Sequence, residues 1–232
     1  MNKKVLITGT SQGLGRAIAE QFLEDGAFVF GCSRGKQTIN HDNYCHFTLD
    51  ISNDIQVLQM FKDIKTRQVP LDLLINNASL LYSSAATLSS ASKIKELIDI
   101  NLIGTFFVTR EALKLMQYHR YGRIINFSSI NVASGWAGGA IYNASKAGVA
   151  AMSKSLVREC IGMDITINTL GLSFSSKGGM TETIEPEVLA RKQMELIKPN
   201  LLEVDEIMHA IDFFSSPLAK NISCQTLYFG GL

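Results

Sequence analysis

At 232 residues, 46% of them hydrophobic, the chain can bury one sizeable core, and an α/β fold of this length is expected as a single domain over 1–232. Basic and acidic side chains number 22 and 21, so the net charge of +1 gives no electrostatic reason for a nucleic acid or an anionic membrane as partner. Cys32, Cys45, Cys160 and Cys224 are far apart and form no ligand cluster with the four histidines, which points away from zinc and a disulfide framework and toward reduced thiols in a cytoplasmic protein.

The N-terminus begins basic and apolar, but Val5-Leu-Ile gives way at once to Thr8-Gly9, too short a run for a secretory signal. No apolar run approaches the roughly 18 residues of a membrane span. Val5 to Thr8 reads instead as a short buried strand. It breaks at Gly9-Thr-Ser-Gln-Gly13-Leu-Gly15 before an amphipathic helix over Arg16 to Asp25. Glycines let a backbone turn tightly against a ligand, and the free N–H groups of a helix start favour an anion, so the unit suits a phosphate. Its spacing is not G-x-G-x-x-G, and a glycine turn without a ligand is the alternative.

A second strand, Ala27 to Cys32, ends in Ser33-Arg34, and a third, Tyr44 to Leu49, ends at Asp50-Ile51. In a Rossmann-type unit a carboxylate at the end of the second strand selects the free 2′-hydroxyl of NAD. Here Ser33 and Arg34 stand in that region. A guanidinium pairs with a 2′-phosphate, so NADP(H) is expected over NAD(H), the alternative being an ordinary solvated loop arginine.

Ser52-Asn53 caps a helix with Ile55, Leu58, Phe61 and Ile64 near one face, closed before Pro70. Leu71 to Ile75 is a buried strand ended by Asn76-Asn77-Ala78-Ser79, where asparagines also serve simply as turn residues. From Ile94 to Met116 the periodicity is helical, and Asn101 in its interior needs buried partners, as a packing bridge or as part of a site. The strand Arg123 to Phe127 leads into Ser128-Ser129. A small-residue helix follows from Ala144 to Cys160, then a strand from Ile165 to Leu170.

The segment 171–202, interrupted by Pro186 and Pro199, is expected as a lid over the ligand crevice with a short helix, the alternative being a surface loop with no role. A helix from Glu203 to Ser215 and a strand from Gln225 to Phe229 close the chain. The alternation predicts a doubly wound, mostly parallel sheet of about seven strands with helices on both faces.

Tyr142 and Lys146 lie four residues apart and share a face if their segment is helical. A phenol with pKa near 10 is a poor base at neutral pH, and an adjacent ammonium would depress that value. Such a pair also arises by chance, so its meaning depends on the other motifs.

Those motifs, in order, are Thr8-Gly9-x-x-x-Gly13-x-Gly15, Asp50 after the third strand, Asn76-Asn77-Ala78, Asn101, and Ser129 followed thirteen residues later by Tyr142-x-x-x-Lys146. Together they resemble the classical short-chain dehydrogenase/reductase family, from about Lys4 to Gly231. The resemblance implies a single-domain Rossmann-fold oxidoreductase with four catalytic residues. Tyr142 would exchange the proton of the substrate oxygen, and Lys146 would lower the tyrosine pKa and hold the nicotinamide ribose. Ser129 would orient the carbonyl, and Asn101 would position a relay water. Gly9, Ser11, Gly13, Leu14 and Gly15 would line the pyrophosphate and ribose. Ser33 and Arg34 would meet the adenosine 2′ end, Asp50 and Ile51 the adenine, and Asn77 and Ala78 the riboses.

Three positions depart from the family. Leu172-Ser173 stands where Pro-Gly is common, Ser79 ends the Asn-Asn-Ala motif, and Ser175, Ser176, Thr181 and Thr183 compete for the threonine that holds the carboxamide. The overall look is nearest to 3-oxoacyl-acyl-carrier-protein reductases, whose basic docking residues are matched by Arg120 at one position but replaced by Met163 at another. A small carbonyl substrate, free or on an acyl carrier protein, and a homodimer or homotetramer are expected. The alternatives are a reductase of a sugar or secondary-metabolite pathway and a dinucleotide-binding regulator without turnover.

Overall fold

The computed structural model describes residues 3–178, 181 and 184–231. Seven strands form one sheet in the order β3-β2-β1-β4-β5-β6-β7: β1 (Lys4–Thr8), β2 (Phe28–Ser33), β3 (Tyr44–Thr48), β4 (Leu73–Asn76), β5 (Tyr121–Ser129), β6 (Asp164–Leu172) and β7 (Thr226–Tyr228). Every neighbouring pair is parallel, as the alternation of strands and helices predicts. The helices are α1 (Gly13–Glu24), α2 (Asp54–Thr66), α3 (Ala91–Ile98), α4 (Thr105–His119), the single turn α5 (Asn131–Ser134), α6 (Ala140–Leu156), α7 (Pro186–Met194) and α8 (Val204–Ser215). Among the described residues no helix is long and apolar enough to cross a membrane.

Both faces of the sheet are covered because strand side chains alternate. Val5 and Ile7 of β1 pack toward α1 and α8, against Ile18, Phe22, Ile207 and Phe214. Leu6, between them, faces the opposite core of α2 and α4, with Val57, Phe61, Val108 and Met116.

The structure shifts several predicted boundaries by a residue or two and corrects three local readings. In α2 the buried stripe is Val57, Met60, Phe61 and Ile64, whereas Ile55 and Leu58 are 74% and 38% exposed. Helix phase explains this: positions 57, 60, 61 and 64 follow the 3.6-residue repeat, and 55 and 58 rotate off it. The continuous helix expected from Ile94 to Met116 is divided by a π-helical segment, Asp99–Gly104, centred on Asn101. The helix expected from Ala144 begins at Ala140, so Tyr142 occupies its first turn.

The chain runs from β1 out to β3 and returns to the centre as β4, which opens a crevice at the C-terminal ends of the strands. A single hydroxyl joins the two strands there. Thr8 Oγ1 accepts from the backbone N–H groups of Asn77 at 3.0 Å and Ala78 at 2.9 Å. Asn77 Nδ2 answers by donating to Thr8 O at 2.8 Å and Gly9 O at 3.3 Å. Thr8→Val preserves the side-chain shape and strips two N–H groups of their acceptor. It is expected to cost about 2–3 kcal/mol, seen as a lower urea midpoint at unchanged m-value.

Candidate active site

A cleft of about 880 Å³ lies over the C-terminal ends of the strands. Gly9, Ser11, Gly13, Leu14 and Gly15 line it beside β1, Ser33 and Arg34 beside β2, Asp50 and Ile51 beside β3, and Asn77 and Ala78 beside β4. Ser129, Tyr142 and Lys146 line it from β5 and α6. The structure therefore brings together every predicted site residue except Asn101, which is buried behind the wall.

The first turn forms a backbone cradle. Gly9 has φ +79°, in the left-handed region, and a Cβ at Gly15 would lie 2.3 Å from both Gly9 O and Asn77 Nδ2. Gln12 caps α1 without a side-chain hydrogen bond, and the first turn holds no carboxylate. Its N–H groups thus lack a side-chain acceptor, which suits an anion. At the other edge Arg34 is exposed and has no partner among the described residues. The Asp50 carboxylate turns away into its own turn, with Oδ1 accepting from Ser52 N at 2.9 Å and Ser52 Oγ at 2.7 Å.

At the reacting end, Ser129 Oγ accepts from Asn131 N at 3.2 Å, and its hydroxyl is near enough to the Tyr142 phenol to lower its pKa. Lys146 Nζ donates to Phe127 O at 2.9 Å, the carbonyl near the end of β5. Burial pushes the Tyr142 phenol up to about 12, only partly opposed by the Ser129 hydroxyl. Burial likewise brings Lys146 down to about 8. This differs from the sequence expectation, in which the lysine depresses the tyrosine. Removal from water dominates, and it drives both groups toward their neutral forms.

Asn101 works one layer back. Its Oδ1 accepts from Leu80 N at 2.7 Å, and its Nδ2 donates to Leu80 O at 2.9 Å and Ser145 Oγ at 3.2 Å. Ser145 Oγ in turn donates to Tyr142 O at 2.7 Å. The Asn101 amide thus positions a cleft-lining loop and the first turn of α6, with both N–H donors and one of the two Oδ1 acceptor sites engaged by protein groups.

The departures from the family pattern also have places. Leu172, Ser173, Ser175 and Thr181 line the cleft, whereas Ser176 Oγ donates to Glu203 Oε2 at 2.7 Å. Thr183 lies outside the described residues. Ser173 Oγ is buried and has no partner among the described residues, an orphaned donor on the cleft wall. Arg120 does not border the cleft. It precedes β5, about 30 Å along the strand from Ser129 by strand rise, and its Nη2 donates to Gly162 O at 2.7 Å.

Sequence reasoning missed the opposite wall. Trp136 stacks on Phe174 with centroids 5.6 Å apart, and Lys192 Nζ lies 5.3 Å from the indole centroid. Trp136 Nε1 donates to Glu195 Oε2 at 2.5 Å. These contacts fasten the 171–202 segment, with α7, to the loop before Tyr142. The segment's two ends are also pinned together, by Ser176 N to Leu202 O at 3.0 Å and Leu202 N to Phe174 O at 2.8 Å. The lone tryptophan between Ser129 and Tyr142 was the available signal.

The profile of the short chain dehydrogenase family matches residues 3–188. A 3-oxoacyl-[acyl-carrier-protein] reductase of Buchnera aphidicola is 31% identical over 99% of this chain and 96% of its own length. Its counterpart from Rickettsia bellii is 33% identical over 97% and 94%. Among solved structures, ElxO with NADP bound superposes with a TM-score of 0.89 at 25% identity, over 98% of this chain and 97% of that one. The chain belongs to the short-chain dehydrogenase family, NAD(P)-dependent oxidoreductases of carbonyl and alcohol groups.

Proposed function

We propose that the chain is an NADPH-dependent ketoreductase, a single domain with 171–202 as substrate loop, that acts on 3-oxoacyl thioesters. The observation that carries this reading is geometric: Ser129, Tyr142 and Lys146 line one end of a cleft whose other end is the Gly9 to Gly15 turn, and the buried Tyr142 phenol keeps its proton at neutral pH. A protonated phenol is poised to give a proton to a carbonyl oxygen that becomes an alkoxide, the direction of reduction. Ser129 donates to the same oxygen and orients it. Lys146, near 8, can return a proton toward the spent phenolate close to neutral pH.

The residues present fit a dinucleotide. The backbone of Gly9 to Gly15 and the uncapped start of α1 would take the pyrophosphate, Lys146 the nicotinamide ribose, and the orphaned Ser173 hydroxyl a polar group of the nicotinamide. The cofactor supplies the hydride when bound. Arg34 would take a 2′-phosphate. Asn101 acts as a positioning residue through Leu80 and Ser145.

The thioester class is supported by the names of the Buchnera and Rickettsia relatives and by an opposite wall with Trp136, Phe174 and Val188. An acyl carrier protein as substrate carrier has no support from Arg120 within one chain. A cytoplasmic homodimer or homotetramer would use α4 and α6, next to which Ile103 and Phe106 are partly exposed.

Oxidation of NADPH followed at 340 nm with 3-oxoacyl thioesters and simple ketones tests the activity. Tyr142→Phe should lower kcat by about 10²–10⁴-fold with NADPH binding retained, and unchanged turnover would remove Tyr142 from the chemistry. Arg34→Asp should weaken NADPH by about 10–100-fold and NADH far less; equal losses would sink the cofactor preference.

Lys146 also makes a prediction for stability. Its folded value of about 8 lies below the ordinary 10.5. Below pH 8 both states carry the ammonium, and the fold bears its desolvation. Between 8 and 10.5 the folded state gives up its proton first, so stability rises with pH. Lys146→Met should therefore hold a stability advantage over the unsubstituted chain that shrinks by about 3 kcal/mol between pH 7 and pH 10.5, measured by urea unfolding.

A further inference from the structure

A chain of hydrogen bonds runs beneath the adenosine end of the cleft, and its two central members, Tyr44 and His46, do not line the cleft. Thr10 Oγ1 lies 2.8 Å from Tyr44 Oη, Tyr44 Oη lies 2.9 Å from His46 Nδ1, and His46 Nε2 lies 3.0 Å from Gly35 O. To make these contacts the Tyr44 phenol crosses β2 over Gly31. A Cβ at Gly31 would lie 2.1 Å from Tyr44 Oη and 2.5 Å from Thr10 Oγ1, so glycine is required there to leave room for the hydroxyl.

At the far end, donors converge on one carbonyl. Gly35 O accepts from Ser33 Oγ at 3.1 Å, His46 Nε2 at 3.0 Å and Thr48 Oγ1 at 3.4 Å. Because a carbonyl only accepts, His46 Nε2 carries the proton. In the neutral ring Nδ1 then accepts from Tyr44, whose oxygen accepts from Thr10. A second tie runs parallel to the first, from Thr38 Oγ1 to Ser11 O at 3.0 Å.

The two ends of this chain are the two elements that would meet phosphates. Thr10 belongs to the glycine turn, and Gly35 follows Arg34. A long, exposed side chain loses much conformational freedom when it settles on a phosphate. Fixing the peptide beside Arg34 narrows what the guanidinium must search, and fixing it relative to Thr10 sets its distance from the pyrophosphate cradle.

We propose that His46, linked through Tyr44 to Thr10, is a positioning residue for cofactor choice: it holds the Arg34-Gly35 turn in the register that lets Arg34 meet a 2′-phosphate. The proposal rests on the reading of Arg34 given above.

Its test uses two ligands that differ by the 2′-phosphate, adenosine 2′,5′-bisphosphate and 5′-AMP, titrated calorimetrically into the full chain and into its Tyr44→Phe, His46→Ala and His46→Gln variants. The unsubstituted chain is expected to prefer the bisphosphate. Tyr44→Phe and His46→Ala should each cut that preference by about fivefold or more while the 5′-AMP Kd stays within about twofold. His46→Gln, which keeps a donor at similar reach, should retain most of it. If the preference survives in Tyr44→Phe and His46→Ala, or if both ligands are lost alike, the positioning role is overturned and the Arg34 reading stands. If the unsubstituted chain does not distinguish the ligands, the Arg34 reading falls and takes this proposal with it.

Discussion

The bond between Thr8 and the start of the Asn77-Ala78 turn is the constraint on which the cleft depends. A parallel sheet offers no tight turn between β1 and β4, so nothing in the local chain brings their ends into register. The backbone ladder pairs them as far as Ile7 and Ile75, and beyond it one hydroxyl accepting two backbone N–H groups continues the tie, reinforced by the Asn77 amide from the opposite strand. Because Asn77 also donates to Gly9 O, the same contact sets the shape of the glycine turn. The cradle is therefore built by the sheet as much as by its glycines.

A second layer of buried polar contacts carries the reacting end. Asn76 Nδ2 donates to Thr109 Oγ1 of α4 at 2.9 Å and to Asn126 Oδ1 of β5 at 2.7 Å, and Asn126 Nδ2 donates to Ser153 Oγ of α6 at 3.0 Å. Apolar packing alone tolerates small slides of a helix over a sheet, whereas a buried amide left without its partner costs on the order of 1–3 kcal/mol. The ladder thus fixes α6 lengthwise, and Ser153 lies two turns beyond Lys146 on that helix. Asn101 holds the other end of α6 through Ser145. Lys146 lies between the two polar anchors, and Tyr142, one turn before Ser145, is tied to the first of them through its backbone oxygen.

What could be read in the sequence follows from where information is local. The strands, the doubly wound parallel sheet and the cleft residues at the strand ends were legible, because apolar alternation and glycine or asparagine punctuation act over a few residues. The phase of α2 was misread because Ile55 and Leu58 resemble buried residues in type alone. The π segment has no local signature, and the Leu80 and Ser145 partners of its Asn101 lie 21 and 44 residues away. The Trp136 wall and the Tyr44–His46 chain are likewise tertiary contacts. Neither has a short-range pattern, although Gly31 inside a strand marked a close approach.

At Tyr142 and Lys146 burial acts beside the proximity that their spacing suggests. Four residues on one helical face place an ammonium near a phenol, and in water that proximity would favour phenolate. In the fold both side chains are buried, and Lys146 Nζ is held by Phe127 O. Desolvation is the largest cause at each group, so the phenol gains affinity for its proton and the ammonium loses it. In the proposed reductase this order would be useful: the acid would hold its proton until negative charge develops on the substrate oxygen, and the lysine would give one up readily afterwards. The energetic burden of a buried ammonium is then a property of the site's chemistry, carried by the sheet and helix contacts around it.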